Sequence, residues 1–310
     1  MSAADRLPDA PPDNWVDRRA PPALRPWLKL GRFDRPIGAW LLMLPGWQGV
    51  ALACAGQRRL PDPWLLGLIA AGAVVMRAAG CAYNDIADRD IDAKVARTAR
   101  RPIPSGQVSV GQAWAYVVGL SLTGLLVLLA MNRTAVALGA ASLLLVAAYP
   151  FMKRITWWPQ AWLGLTFNWG ALLGYAAVSG EVEWPSLLLY ASGLFWTLGY
   201  DTIYALQDME DDALAGVKSS ARRLGDRAPG AVLAFYGAAM LLTLAAGAAA
   251  GLGPVFYLGW AAYAVHLVWQ ARRVRVDDPG LALRLFRSNR EAGLILLLAI
   301  AAGAWASARP

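Results

Sequence analysis

Nine stretches of this sequence are apolar over lengths that reach, or nearly reach, across the hydrocarbon core of a bilayer, and that patterning constrains the fold before any motif is considered. They lie at about residues 37–55, 63–84, 111–130, 134–150, 159–179, 185–206, 228–251, 254–271 and 291–307. Hydrophobic residues make up 57% of the chain and charged residues 16%, against roughly 25% charged in soluble domains. The expected fold is therefore an all-α membrane protein, a bundle of nine transmembrane helices. The runs shorter than about 20 residues need tilt or local thinning of the bilayer. Residues 1–26, with six prolines and scattered charges, read as a flexible tail, and residues 27–310 as one polytopic domain. No apolar segment precedes residue 27, so the first span is expected to act as its own insertion signal.

The distribution of charge orients the bundle. Of the 29 Lys and Arg residues, 24 fall on one side of the alternating spans and 4 on the other, with Arg77 inside the second span. Positive charge marks the cytoplasmic side, which places the N-terminus and loops 85–110, 151–158, 207–227 and 272–290 in the cytoplasm. The same asymmetry accounts for the net charge of +8 without nucleic acid as a partner. Cys54 and Cys81 both lie in apolar runs and have no metal-ligand spacing.

Against this apolar background, Asn84-Asp-Ile-Ala-Asp88-Arg-Asp-Ile-Asp92 stands out at the cytoplasmic end of the second span. Asn84, Asp88 and Asp92 recur at i, i+4 and i+8 and so share one helical face. Four acids within nine residues repel one another unless cations neutralise them. Hard oxygen ligands next to a membrane point to Mg2+, and Mg2+ held by one or two carboxylates points to a phosphate-bearing substrate. Arg77 lies two to three turns deeper on the same face, where a cation suits an anionic ligand; a purely structural ion pair to Asp85 or Asp88 is the plainer alternative.

A second acidic stretch ends the sixth span. Asp201, Tyr204 and Asp208 form one helical stripe that Asp212 continues, and Asp201 lies within apolar sequence, where ionisable groups are functional by default. Basic side chains suited to phosphoryl oxygens lie on the same side: Arg97, Arg101, Lys153 and Lys218, with Tyr149 four residues before Lys153 if the helix continues past Pro150. His266, the sole histidine, lies mid-span and reads as a hydrogen-bonded packing residue. The residues alone thus describe a membrane site on the cytoplasmic side for Mg2+ and a phosphate-bearing lipid. A cation or lipid transporter and a Mg2+-dependent phosphotransferase are the rivals. Transport predicts acids spread through the bilayer depth, and the phosphotransferase signature is one continuous block; here the acids crowd one face in two distant stretches.

Arg77-Ala-Ala-Gly-Cys-Ala-Tyr-Asn84 through Asp92 resembles the first aspartate motif of the UbiA-type intramembrane prenyltransferases. Arg97-Thr-Ala-Arg-Arg101-Pro, Tyr149-Pro-Phe-Met-Lys153, Tyr200 through Lys218, Arg35-Pro-Ile-Gly38 and Phe286-Arg-Ser-Asn289 are similar to further family segments, in order along the chain. The resemblance implies Mg2+-dependent transfer of a polyprenyl group from polyprenyl diphosphate to 4-hydroxybenzoate, or to another aromatic acceptor, at a bacterial cell inner membrane. It implies metal ligation by Asn84, Asp88 and Asp92 and by Asp208 and Asp212. Arg35, Arg77, Arg97, Arg101, Lys153, Tyr204 and Lys218 would bind substrate. Tyr149 would stabilise developing positive charge, and Asp201 would orient the phenol or accept the ring proton. No protein partner is implied.

Overall fold

The computed structural model describes residues 11, 13–56, 59–95, 98–214 and 216–308, and all regular structure among them is helical. In chain order the helices are α1 (Trp15–Arg19), α2 (Arg25–Leu30), α3 (Ile37–Gly56), α4 (Pro63–Asp92), α5 (Val110–Leu129), α6 (Arg133–Ile155), α7 (Pro159–Phe167), α8 (Trp169–Ser179), α9 (Trp184–Ala205), α10 (Met209–Leu214), α11 (Ser220–Leu224), α12 (Ala228–Ala249), α13 (Pro254–Arg273), α14 (Pro279–Arg287) and α15 (Asn289–Ala308). Helix occupies every one of the nine predicted spans among the described residues, with the fifth divided into α7 and α8 at Asn168. Among the described residues, six segments are long and apolar enough to cross a membrane by length and composition. The protein is an integral membrane protein.

Local chemistry sets the helix ends. The Asp62 Oδ1 accepts from the Trp64 N–H at 2.9 Å at the start of α4, and the Asn132 side chain caps α6 by accepting from the Ala135 N–H. Proline occupies the first turn of α7, α9, α12, α13 and α14, where its missing N–H costs nothing. α8 stops at Gly180, which takes the left-handed conformation at φ 86°.

The chain divides into two compact units. The first comprises residues 1–39 and 71–127. Its core joins Leu30, Ala82, Ile86, Ile103, Val108 and Ala113, with Trp27 and Tyr116 packed against them. Where the sequence suggests a flexible tail as far as residue 26, the described part carries α1 and packs into this unit. Asn14 caps α1, Val16 is fully buried, the Lys29 ammonium lies 2.7 Å from the Asp17 carboxylate, and the Trp15 indole donates to the Phe33 carbonyl at 2.8 Å. These links join residues twelve and eighteen positions apart, so no local pattern announces them.

The second unit comprises residues 40–70 and 128–310. Small residues let its helices approach to backbone contact. A Cβ on Gly174 of α8 would lie 2.2 Å from the Gly46 carbonyl oxygen of α3, and one on Gly49 would lie 2.2 Å from the Ala171 carbonyl oxygen. α9 lies along α12, with Gly199 under the Tyr236 ring and the Ser192 hydroxyl donating to the Ala239 carbonyl. α13 packs on α15 through Gly259 against Ala299 and Phe256 against Gly303. α6 exposes Leu143 and Leu144, and in the first unit α5 exposes Leu122 and Leu126, the apolar exposure a helix presents to lipid.

Gly174→Val should destabilise the protein by about 1–3 kcal/mol, because the carbonyl it strikes belongs to backbone that cannot yield. Gly67→Ala, with nothing within 4 Å of its new Cβ, should be neutral or slightly stabilising; thermal unfolding in detergent distinguishes the two. The Asp17–Lys29 pair gives a pH dependence. Burial alone would raise the Asp17 carboxyl, but hydrogen bonds from Lys29 and Asn14 and the charge of Lys29 outweigh it, and the carboxyl is held below its ordinary 3.8. A lowered folded-state value means that the pair stabilises at neutral pH and that this contribution fades as pH falls below about 4. Asp17→Asn should therefore lower the melting temperature at pH 7, and that difference should shrink as pH falls below about 4 and through the lowered folded-state value.

Candidate active site

Two acidic clusters, one in each unit, are built by different backbone devices. α4 runs unbroken from Pro63 to Asp92, so its last turns, in the first unit, keep the i, i+4, i+8 register of Asn84, Asp88 and Asp92. Asp88 and Asp92 are buried, at 1% and 6% exposure, while Arg89 and Asp90 on the other face are exposed. Asn84 and Arg77 are half-buried. Arg77 lies across Gly38: a Cβ there would come within 2.5 Å of its Nε and 2.8 Å of its Nη2. The Arg-Pro-Ile-Gly segment thus needs its glycine to seat that guanidinium.

Asp85, one residue off the face shared by Asn84, Asp88 and Asp92, is fully buried and takes two arginines. Arg32 Nη2 donates to both of its oxygens, at 2.7 and 2.9 Å, and Arg101 Nη1 donates to Oδ1 at 3.3 Å. The same Arg101 nitrogen donates to Asp92 Oδ2 at 2.8 Å. Arg101 returns to α4 through a loop in which the Thr98 hydroxyl donates to the Asp92 carbonyl at 2.9 Å and the Val108 N–H to the Pro102 carbonyl. Arg35, assigned from the sequence to substrate, pairs with the neighbouring buried Asp34 at 3.1 Å. Arg97 lies outside the described residues.

Arg32 was not singled out by its sequence context. Its backbone sits at φ 60°, the only described non-glycine residue with positive φ. The cause is the end of α2: the Arg32 N–H donates to the Lys29 carbonyl at 3.1 Å and the Phe33 N–H to the Leu28 carbonyl at 2.9 Å, the paired bonds of a Schellman cap whose left-handed position ordinarily carries glycine. Holding an arginine there costs about 1–2 kcal/mol. Gly31, one residue earlier, is the misleading signal, since it invites the left-handed assignment for itself.

In the second unit the stripe from Asp201 to Asp212 is not one continuous α-helix. α9 ends at Ala205, a 3-10 turn covers Leu206–Asp208, and α10 begins at Met209. Three residues at about 120° each, in place of about 100°, turn Asp208 by roughly 60° from its expected bearing. Asp208 is buried, and Asp201, Tyr204 and Asp212 are half-buried. The tightening satisfies the end of α9, where the Leu206 N–H reaches the Ile203 and Tyr204 carbonyls. α6 continues through Pro150 to Ile155, so Tyr149 and Lys153 are successive-turn neighbours, both half-buried. The Lys218 ammonium donates to the Ile155 carbonyl at 3.1 Å and its N–H to the Lys153 carbonyl at 3.0 Å, capping α6.

The Tyr204 ring stands 4.6 Å from Phe286, which also meets Tyr200 at 5.9 Å. Beside Phe286, the buried Asn289 accepts from the Trp196 indole at 2.8 Å and the Tyr236 hydroxyl at 3.4 Å, while Tyr236 donates to Gln270 at 2.7 Å. His266 meets the Ser288 carbonyl at 3.1 Å, the packing role its apolar setting suggests.

The donors at the end of α4, an amide and two carboxylates, are all hard oxygen and fit Mg2+. Among the described residues no three Asp, Glu, His or Cys side chains gather at one point.

The fold and these two clusters define a polytopic helical membrane protein equipped for anionic, metal-bound lipid. The UbiA prenyltransferase family model matches residues 42–295, and the chain belongs to that family. It is 48% identical over 291 residues to "4-hydroxybenzoate polyprenyltransferase, mitochondrial" of Bos taurus, covering 93% of this chain and 78% of that one. The Homo sapiens protein of the same name is 47% identical over 287 residues, covering 92% and 76%. Among solved structures, the apo structure of a UbiA homolog from Aeropyrum pernix K1 superposes with a TM-score of 0.72 at 31% identity, covering 84% of this chain and 96% of that one. A UbiA homolog from Archaeoglobus fulgidus bound to GPP and Mg2+ shares the fold, with a TM-score of 0.61 at 19% identity over 91% of this chain and 99% of that one.

Asn289→Ala would leave the Trp196 indole N–H buried without its acceptor and should cost about 1–3 kcal/mol. Thermal unfolding of the variant in detergent, beside the wild type, measures that loss.

Proposed function

We propose that this protein is a Mg2+-dependent 4-hydroxybenzoate polyprenyltransferase. The observation that carries this reading is the buried row of Asp88 and Asp92 at the end of a membrane-spanning helix, with Arg101 bonded to it, in a chain nearly half identical to enzymes of that name. In the reaction the bond from the prenyl C1 to the diphosphate oxygen breaks and a bond forms from C1 to the ring carbon ortho to the phenol. The ring proton leaves, and diphosphate is released.

Asn84, Asp88 and Asp92 hold Mg2+ in this reading, and so do Asp208 and Asp212. Bound there, Mg2+ neutralises charge on the departing diphosphate. Arg35, Arg77, Arg101, Lys153 and the remaining donors of Lys218 bind diphosphate oxygens or the aromatic carboxylate. The face of Tyr149 stabilises positive charge on the allylic carbon, and Tyr204 lines the substrate. Asp201 orients the phenol or accepts the ring proton. The helices exclude water from the allylic carbon.

Nine crossings, with the N-terminus and both acidic clusters on the cytoplasmic side of a bacterial inner membrane and a cavity open to that side, complete the proposal. The Lys/Arg asymmetry supports that orientation. Residues 27–310 form the catalytic domain, preceded by a cytoplasmic segment.

Protein in liposomes given Mg2+, 4-hydroxybenzoate and an allylic prenyl diphosphate should form prenylated acid and diphosphate in equal amounts. Asp88→Ala should reduce the rate by at least about 100-fold, the upper end of what losing an outer-shell partner of a metal costs. Diphosphate without prenylated benzoate would move the acceptor to another aromatic. Neither product from folded protein would overturn the transferase reading.

A further inference from the structure

We propose that Arg32 is a positioning residue, whose left-handed backbone and bond to Asp85 set the geometry of the magnesium-binding end of α4. The inference rests on the metal role proposed above for that helix end and adds to it a residue assigned to neither metal nor substrate. Charges alternate along one buried path: Arg32 to Asp85, Asp85 to Arg101, Arg101 to Asp92, at 2.7, 3.3 and 2.8 Å. The path ends on a metal-facing carboxylate and begins at a backbone position that disfavours any residue but glycine.

If that position served only to end α2, glycine would do it better. What an arginine adds is a guanidinium that reaches Asp85 while its Nη1 donates to the Lys29 carbonyl at 3.0 Å. The adjoining peptide is pinned in turn, since the Trp15 indole donates to the Phe33 carbonyl. Backbone on one side and α4 on the other are thereby joined by two nitrogens of one planar guanidinium, Nη1 on the Lys29 carbonyl and Nη2 on both Asp85 oxygens, a span that a single ammonium does not reproduce. Asp85 holds Arg101 at the same time, and Arg101 restricts Asp92 to one bearing.

The test separates positioning from simple stabilisation. Arg32→Gly alone strips a buried carboxylate of a partner and is expected to weaken folding. The double variant Arg32→Gly with Asp85→Asn removes both charges and relieves the backbone, so its melting temperature should return to within a few degrees of wild type. Arg32→Lys keeps the charge without the fork. Mn2+ binding is then measured by electron paramagnetic resonance on protein in nanodiscs with inorganic pyrophosphate present. The expected result is a Mn2+ dissociation constant raised about 10-fold or more in the stable double variant, with a partial recovery in Arg32→Lys. A double variant that melts like wild type and binds Mn2+ like wild type would overturn the proposal while leaving the metal site in place. Wild-type protein that binds no Mn2+ with pyrophosphate would overturn the metal site and this inference with it.

Discussion

A carboxylate taken out of water at the end of an apolar helix costs several kcal/mol unless a cation follows it inside, and much of the first unit can be understood as meeting that requirement. Asp85 has no exposed surface, and two guanidinium groups converge on it from opposite directions in the chain. One arrives from the end of α2, before the first long helix; the other returns through the loop that follows α4. The bent approach at residues 31–36 and the turns at 98–108 are the routes by which positive charge is brought to a buried acid.

The same accounting changes the meaning of the basic residues. Counted along the chain they report membrane orientation, a property of the whole set. In the folded protein individual members take on separate tasks: Lys29 neutralises Asp17, Lys218 closes the end of α6, and Arg101 bridges two acids. An enzyme that handles a diphosphate at a membrane surface needs positive charge in abundance. It also needs that charge held in place, and a fixed network of ion pairs does this better than a diffuse basic surface.

Legibility in the sequence followed the range of the interaction. The helical class was readable because nine apolar runs repeat a single constraint, the absence of water for the backbone in lipid. The register of Asn84, Asp88 and Asp92 was readable because α4 is uninterrupted. The corresponding stripe after Asp201 was only partly so, since nothing in Leu206-Gln-Asp208 signals that the chain will tighten into a 3-10 turn. Arg32 with Asp85, and Asn289 with Trp196 and Tyr236, escaped entirely. Their partners are separated by tens of residues, and pairing at that distance is set by packing, which no local periodicity encodes.

The polar interior of α9 has a consequence for how the chain is made. This helix is not among the segments that meet the criterion of length and hydropathy for crossing on their own, and it buries Ser186, Ser192, Thr197 and Thr202. Ser192 gives its hydroxyl to a carbonyl of α12, a helix that leaves the ribosome later. The two short helices just before it, α7 and α8, are likewise parted by an asparagine whose amide donates to Thr197 of α9. Helices that satisfy one another's hydroxyls and amides enter lipid more cheaply as a group than one at a time. The polar groups of α8, α9 and α12 are thus satisfied as a set, so in lipid these helices depend on one another.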